Sequence, residues 1–271
     1  MDQDPMDQDP MDLKKFSKVL ITGSTSKLGA CLAESFAKKN IPLLLTGRNT
    51  KILEKLKDDL SSHTHVEVFS LDLSRKEHLS RLLNLIDKHS PDLVINSAGI
   101  GLYGSVLSHK LEEHLEILNL NCNALFAISY EAARVLKRDH KRGMIVNISS
   151  VADIFPYPYF STYSSSKAFV TNFSLSFDEE LKQYGIRVLT SVPGPIATDF
   201  RIHASKGSFT SMKGAISPEE AAYEIEEQIR REKKLHIFPK KIRFGRAFLR
   251  YLFPKFMMYA LLKRKIQNRF K

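Results

Sequence analysis

One pattern constrains this chain more than any other: short, mainly apolar runs alternate with longer segments of helical spacing. The runs lie at residues 19–22, 41–46, 66–71, 93–96, 144–148 and 186–192. Helical stretches occupy 27–39, 51–60, 75–88, 110–138 and 161–183 between and beside them. In the first stretch Leu28, Leu32, Phe36 and Ala37 fall near one face, as a 3.6-residue period requires. Strands without polar alternation fit a parallel sheet covered on both faces. Strands separated by helices fit right-handed βαβ crossovers. The expected fold class is therefore α/β, with a doubly wound parallel sheet. Such sheets bind ligands beyond the carboxyl ends of their strands, so the residues at those ends carry the functional argument.

The first run leads into Thr22-Gly23-Ser24-Thr25-Ser26-Lys27-Leu28-Gly29. Small residues let the backbone approach a diphosphate, and the start of the next helix offers free N–H groups and a positive dipole end. The same composition also makes ordinary turns. Lys27 stands where a middle glycine would be expected. The helix begins about there, and helical dihedrals need no glycine. Two readings of Lys27 stay open: it curls back toward a cofactor phosphate, or it lies in solvent.

The second run is followed by Gly47-Arg48-Asn49, with no acid between Leu43 and Thr50. An acid at this place binds the ribose hydroxyls of NAD, whereas a guanidinium suits a 2′-phosphate. NADP(H) is therefore expected in preference to NAD(H), against the alternative of a solvent-facing turn arginine. After the third run, Asp72 stands either to accept from an adenine amino group or simply beside a helix N-cap. The fourth run ends in Asn96-Ser97-Ala98-Gly99, where small residues again admit a ligand close to the backbone.

The fifth run ends in Asn147-Ile148-Ser149-Ser150, and Tyr163 and Lys167 follow in a helical stretch. Their i,i+4 spacing stacks them on one face. A tyrosine hydroxyl titrates near 10 when unperturbed. A neighbouring ammonium favours the phenolate and brings the group toward a useful acid/base range. On spacing alone, an exposed helix pair explains the two residues as well.

In their order, these elements resemble the short-chain dehydrogenase/reductase family over roughly residues 16–200. Thr22 to Gly29 is similar to the family's nucleotide turn. Asn96 to Gly99 is similar to its Asn-Asn-Ala-Gly element, with Ser97 replacing the second Asn. Pro193-Gly194-Pro195-Ile196-Ala197-Thr198 is similar to its Pro-Gly-x-x-x-Thr element. The resemblance implies a catalytic set of Asn121, Ser150, Tyr163 and Lys167. Tyr163 would exchange a proton with the substrate oxygen, and Ser150 would hydrogen-bond that oxygen. Lys167 would lower the tyrosine pKa and hold the nicotinamide ribose, and Asn121 would anchor a water passing protons from Lys167. The cofactor contacts it implies are Thr22, Gly23, Ser24, Ser26, Lys27, Leu28, Gly29, Arg48, Asp72, Asn96, Ala98, Gly99, Tyr163, Lys167, Pro193, Gly194, Ile196 and Thr198. The implied activity is NADP(H)-dependent interconversion of a carbonyl and an alcohol. The rival reading is a catalytically silent NADP-binding or membrane-associated adaptor on the same fold. The resemblance also implies a homo-dimer or tetramer built on the helices at 110–138 and 161–183.

Two further regions bear on the substrate. Phe155, Tyr157, Tyr159 and Phe160 crowd the stretch before Tyr163. An aromatic wall suits an apolar carbonyl or alcohol, and core or interface packing is the competing explanation. Residues 200–216 have no clear periodicity, and by resemblance they form a mobile lid. No metal site is expected, because the nearest histidine pair, His63 and His65, lacks a third ligand. Two cysteines without metal or disulfide spacing fit a reducing, cytoplasmic compartment.

The ends differ from this body. The repeat MDQDPMDQDPMD reads as a disordered segment over 1–14, followed by one Rossmann-type domain over 15–238. The net charge of +11 is concentrated at the C-terminus, where every charged residue from Lys233 onward is Lys or Arg. Residues 239–271 read as a basic amphipathic helical extension. Three readings compete for it: a peripheral anchor on an anionic membrane surface, packing on the main domain, and, least favoured, nucleic-acid binding.

Overall fold

The computed structural model of this chain describes residues 11–154, 156–208 and 214–242. The six apolar runs form β1 (Val19–Thr22), β2 (Leu43–Gly47), β3 (Val66–Ser70), β4 (Leu93–Asn96), β5 (Gly143–Ile148) and β6 (Ile186–Pro193), and a further strand, β7 (Leu235–Phe238), follows. They make one parallel sheet in the order β3-β2-β1-β4-β5-β6-β7. β1, β2, β4 and β5 are buried at every position, which is why their sequences carry no polar alternation.

Helices cover both faces: α1 (Lys27–Ala37), α2 (Thr50–Leu60), α3 (Lys76–His89), α4 (Leu111–Leu118), α5 (Leu125–Arg138), α6 (Ser161–Leu181), α7 (Phe200–Ala204) and α8 (Pro218–Arg230). Val19 and Ile21 of β1 point into one core, with Leu32 and Phe36 of α1 and Ile225 and Ile229 of α8. Leu20 points the other way, into a second core with Ile86 of α3 and Ile128 and Leu136 of α5. The winding reverses between β1 and β4, and the strand ends there are level. Thr22 pairs with Thr46 and Asn96, and Asn96 pairs with Asn147. The loops after these strands therefore share one rim, at the switch point where such sheets bind ligands.

The structure departs from expectation in four places. The single helix expected over 110–138 is interrupted by a π-helical turn, Asn119–Ala124. α8 and β7 complete the sheet beyond the lid; Ser217 caps α8 by accepting from Glu220 N at 3.0 Å, and Pro218 opens it. The lid region contains a short helix, α7. The domain also starts earlier than residue 15. Asp12 caps a 3-10 turn over Leu13–Lys15, Leu13 is 1 % exposed, and Met11 N donates to Arg230 O at 2.9 Å. Residues 1–10 of the N-terminal repeat, Phe155, and residues 243–271 of the basic extension lie outside the described residues. Among the described residues no helix is long and apolar enough to cross a membrane.

Candidate active site

The turn after β1 is built for close approach. Gly23 holds φ +70, and a Cβ on it would meet Ala98 Cα at 2.8 Å, so only glycine lets the two strand ends touch. Thr22 Oγ1 accepts from Ser97 N and Ala98 N, both at 3.1 Å, and fixes that contact. Ser26 caps α1 by accepting from Gly29 N at 3.0 Å, while its hydroxyl donates to Gly23 O at 2.8 Å. Ser24, Leu28, Gly29 and Asn96 are buried behind the turn. Ser24 donates to Ile21 O at 2.8 Å, and Asn96 Nδ2 donates to Asn147 Oδ1 at 2.8 Å. These four support the turn rather than face its open side.

A cleft of about 450 Å³ opens in front of it, lined by Gly23, Ser26, Lys27, Arg48, Asp72, Ala98, Gly99 and Thr198 of the expected contacts. The size suits a bound cofactor, and the free start of α1 suits an anion. Thr25, Gly47 and Ser97 of the strand-end turns also line the cleft, as do Glu113, Glu116 and Asp199, which no sequence motif marks. A Cβ on Gly99 would lie 3.4 Å from both Asn121 Oδ1 and Lys167 Nζ, so glycine keeps the inner end clear. The charges here are paired within the protein. Lys27 Nζ lies 3.0 Å from Asp199 Oδ1, and Arg48 Nη1 lies 3.4 Å from Glu116 Oε1. Asp72 Oδ1 accepts from Ser74 Oγ at 2.8 Å and Ser74 N at 3.2 Å, the helix-entry role that was its alternative. Pro193 ends β6, and Gly194 and Ile196 follow it; Gly194 N donates to Phe238 O at 2.7 Å, and Ile196 bridges to Ile216.

Asn121, Ser150, Tyr163 and Lys167 are brought together behind the inner end of this cleft. The π turn directs Asn121 fully inward, where Nδ2 donates to Ile100 O at 2.9 Å and Ser166 Oγ at 3.0 Å, and Oδ1 accepts from Ile100 N at 3.0 Å. Its amide thus ties the end of β4 to α6. Ser150 caps the 3-10 turn Val151–Asp153, and its side chain acts on the Tyr163 phenol in favour of the ionised form. Lys167 Nζ donates to Ile148 O at 2.8 Å and lies 5.7 Å from the centroid of the Tyr163 ring.

Aromatic rings close over Tyr163. Phe160 stacks on it at 4.3 Å between centroids, Phe200 of α7 lies at 5.3 Å, and Tyr103 stacks on Phe160 at 3.8 Å. Of the expected aromatic wall, Tyr157 and Phe160 join this cluster, Tyr159 takes φ +62 beside it, and Phe155 lies outside the described residues. Phe200 and Tyr103 were not predicted as wall residues. Burial here reverses the expected effect of the ammonium on the tyrosine. It drives the Tyr163 phenol well above the usual range, against the opposing effect of Ser150. It also brings the Lys167 ammonium down to about 8, since a charge is disfavoured in low dielectric.

A cleft at the switch point of the sheet, with a buried tyrosine–lysine pair behind it, fits a nicotinamide-dependent oxidoreductase. Comparison with known proteins narrows this class. The model of the short chain dehydrogenase family matches residues 17–208, and the chain belongs to that family, whose members are NAD(P)-binding Rossmann-fold dehydrogenases and reductases acting on CH–OH groups. It is 30% identical over 261 residues to a dehydrogenase/reductase SDR family protein 7-like protein of Anopheles gambiae, covering 91% of this chain and 82% of the relative. It is 29% identical over 195 residues to the NADP-dependent 3-hydroxy acid dehydrogenase YdfG of Escherichia coli, covering 70% and 77%. Among solved structures, a short-chain dehydrogenase from Sphingobium yanoikuyae in complex with NADPH superposes with a TM-score of 0.77 at 26% identity, covering 88% of this chain and 96% of that one.

Proposed function

We propose that the protein is an NADP(H)-dependent oxidoreductase that interconverts a carbonyl and an alcohol on an apolar substrate, with Tyr163 as its acid/base. The observation that carries this reading is the buried Tyr163 phenol, flanked by Ser150 and Lys167 and covered by the rings of Phe160 and Phe200. In carbonyl reduction, Tyr163 O–H donates to the substrate oxygen and Ser150 holds the same oxygen as charge develops on it. The Lys167 ammonium then stabilises the phenolate left behind, and Asn121 keeps the end of β4 against α6 and positions a water for proton exchange. Bound NADP(H) supplies the hydride chemistry.

Arg48 at the end of β2 supports the choice of NADP(H), as do the NADP-dependent Escherichia coli relative and the NADPH-bound structural neighbour. The rings of Tyr103, Tyr157, Phe160 and Phe200 around Tyr163 support an apolar substrate. Tyr163→Phe tests the assignment: NADPH binding by fluorescence should stay intact, while NADPH consumption with a panel of aldehydes and ketones disappears. Wild-type turnover in that variant would overturn it. A wild type inert toward the whole panel would favour a silent NADP-binding adaptor.

Two proposals concern partners. Phe126 and Tyr130 of α5 and Phe169 of α6 are 46%, 54% and 41% exposed and line up with Phe173; this face pairs with a second copy. Light scattering should show a dimer or tetramer that Phe169→Asp weakens. We also place the protein in the cytoplasm, with residues 239–271 resting on an anionic membrane surface. The truncation that tests this must end after Ile242, because a chain stopped near Lys234 loses β7. Equal sedimentation of full-length and truncated protein with phosphatidylserine vesicles would refute it.

A further inference from the structure

Thr171 lies one turn beyond Lys167 on α6, and its hydroxyl donates to Asp153 Oδ2 at 2.6 Å. Thr171 Oγ1 is also 2.7 Å from Ser149 Oγ, and Ser149 Oγ donates to the main-chain oxygen of Lys167 at 2.9 Å. A hydroxyl has one proton, so with Thr171 donating to Asp153 the single Ser149 proton is shared between the Lys167 main-chain oxygen and Thr171 Oγ1. Asp153 also closes the turn that Ser150 caps: Asp153 N donates to Ser150 O at 3.0 Å, and Ala152 N donates to Ser150 Oγ at 3.2 Å. One carboxylate thereby joins the Ser150 loop to the helix that carries Tyr163 and Lys167.

A neutral acceptor would satisfy the Thr171 hydroxyl equally well. What Asp153 adds is a negative charge beside two groups exchanging a proton. The other titratable or charged groups around that pair are Tyr103 after β4, Cys122 in the π turn near Lys167, and Arg201 of α7, whose guanidinium lies 5.7 Å from the Tyr103 ring centroid. The field of Asp153 favours the protonated form of both Tyr163 and Lys167. We propose that Asp153 is a positioning residue for proton transfer: through Thr171 it clamps the Ser150 loop to α6 and holds a negative charge next to the Tyr163–Lys167 pair. This rests on the reading of Tyr163 as the acid/base.

Substitutions at Asp153 and at Thr171 separate clamp from charge. Asp153→Asn keeps the acceptor for Thr171 and deletes the charge; Asp153→Ser deletes the charge if Asn folds poorly. Thr171→Val breaks the link and keeps the charge. The primary readout is the titration of Lys167 in the cofactor-free full-length protein, followed by NMR of 13C-labelled lysine and assigned with Lys167→Met. Asp153→Asn should lower its midpoint by about half a pH unit or more. It should also move the loss of NADPH-dependent ketone reduction at high pH to lower pH. Thr171→Val should lower the rate several-fold and leave the Lys167 midpoint in place. A Lys167 midpoint that stays or rises in Asp153→Asn overturns the proposal. A shifted midpoint in a protein that reduces none of the ketones supports the charge effect and instead defeats the acid/base reading.

Discussion

Lys27 Nζ and Asp199 Oδ1 meet at 3.0 Å across the mouth of the cleft, linking the nucleotide turn to the residue just before α7. Both side chains are about half exposed, at 55% and 53%, so the pair contributes less than about 1 kcal/mol. A cofactor phosphate can therefore compete for the ammonium. Asp199→Asn frees Lys27 and removes a repelling carboxylate. NADPH affinity, read by fluorescence titration, should rise about two- to fivefold. Unchanged affinity would leave Lys27 a bystander.

Arg48 is held in the same way by Glu116. Its loss should cost NADPH but not NADH, because only NADPH carries a 2′-phosphate for the guanidinium. Arg48→Ala should weaken NADPH binding about tenfold, as expected for a charge-assisted hydrogen bond. Equal weakening of both nucleotides would show that Arg48 acts on something they share.

The aromatic cover over Tyr163 sets the room for substrate. Gly101 admits it: a Cβ there would meet Phe200 Cζ at 2.8 Å and Phe160 Cε2 at 3.0 Å. Phe200→Ala should raise kcat/KM for bulky ketones relative to small ones by about tenfold or more. A uniform fall for every ketone would mean that Phe200 shapes the loop and not the pocket.

Lys167 makes the protein less stable than it would otherwise be. Its ammonium is disfavoured by burial, which lowers its pKa from 10.5 to about 8. Below about pH 8 the folded and unfolded chains both hold the proton, and the cost is constant. Between about 8 and 10.5 only the unfolded chain holds it, so this contribution to stability improves as pH rises through that window. Lys167→Met should therefore stabilise the cofactor-free protein at pH 7 by roughly 1–2 kcal/mol, after allowing for the orphaned Ile148 carbonyl. Chemical denaturation at pH 7 and pH 9.5 checks both the gain and its shrinkage at the higher pH.

The sheet was legible because β1, β2, β4 and β5 are buried on both faces, and a doubly buried strand has few residue types to choose from. β7 escaped because Leu235 is exposed and His236 and Ile237 are only partly buried, and an edge position lets a histidine interrupt the apolar run. α8 had its signature in Ser217-Pro218-Glu219-Glu220, a cap and a first turn that could have been read directly. The interruption at Asn119–Ala124 leaves no mark in composition. The ion pairs Lys27–Asp199 and Arg48–Glu116 span 172 and 68 residues, and no local pattern encodes such partners. The expected lowering of the Tyr163 pKa failed for a related reason: spacing placed the ammonium nearby, but the rings that exclude water come from three separate loops.

Gly194 and β7 share a boundary. Gly194 N donates to Phe238 O at 2.7 Å, and a side chain at Gly194 would run into Ile242, which lies within the basic C-terminal run. The last strand is thus a mechanical splice between the C-terminal extension and the Pro-Gly turn beside the cleft. A load on β7 would reach that turn through its ladder with β6 and through the Gly194–Phe238 hydrogen bond. What the extension holds on to and how the turn is set are therefore a single question of load.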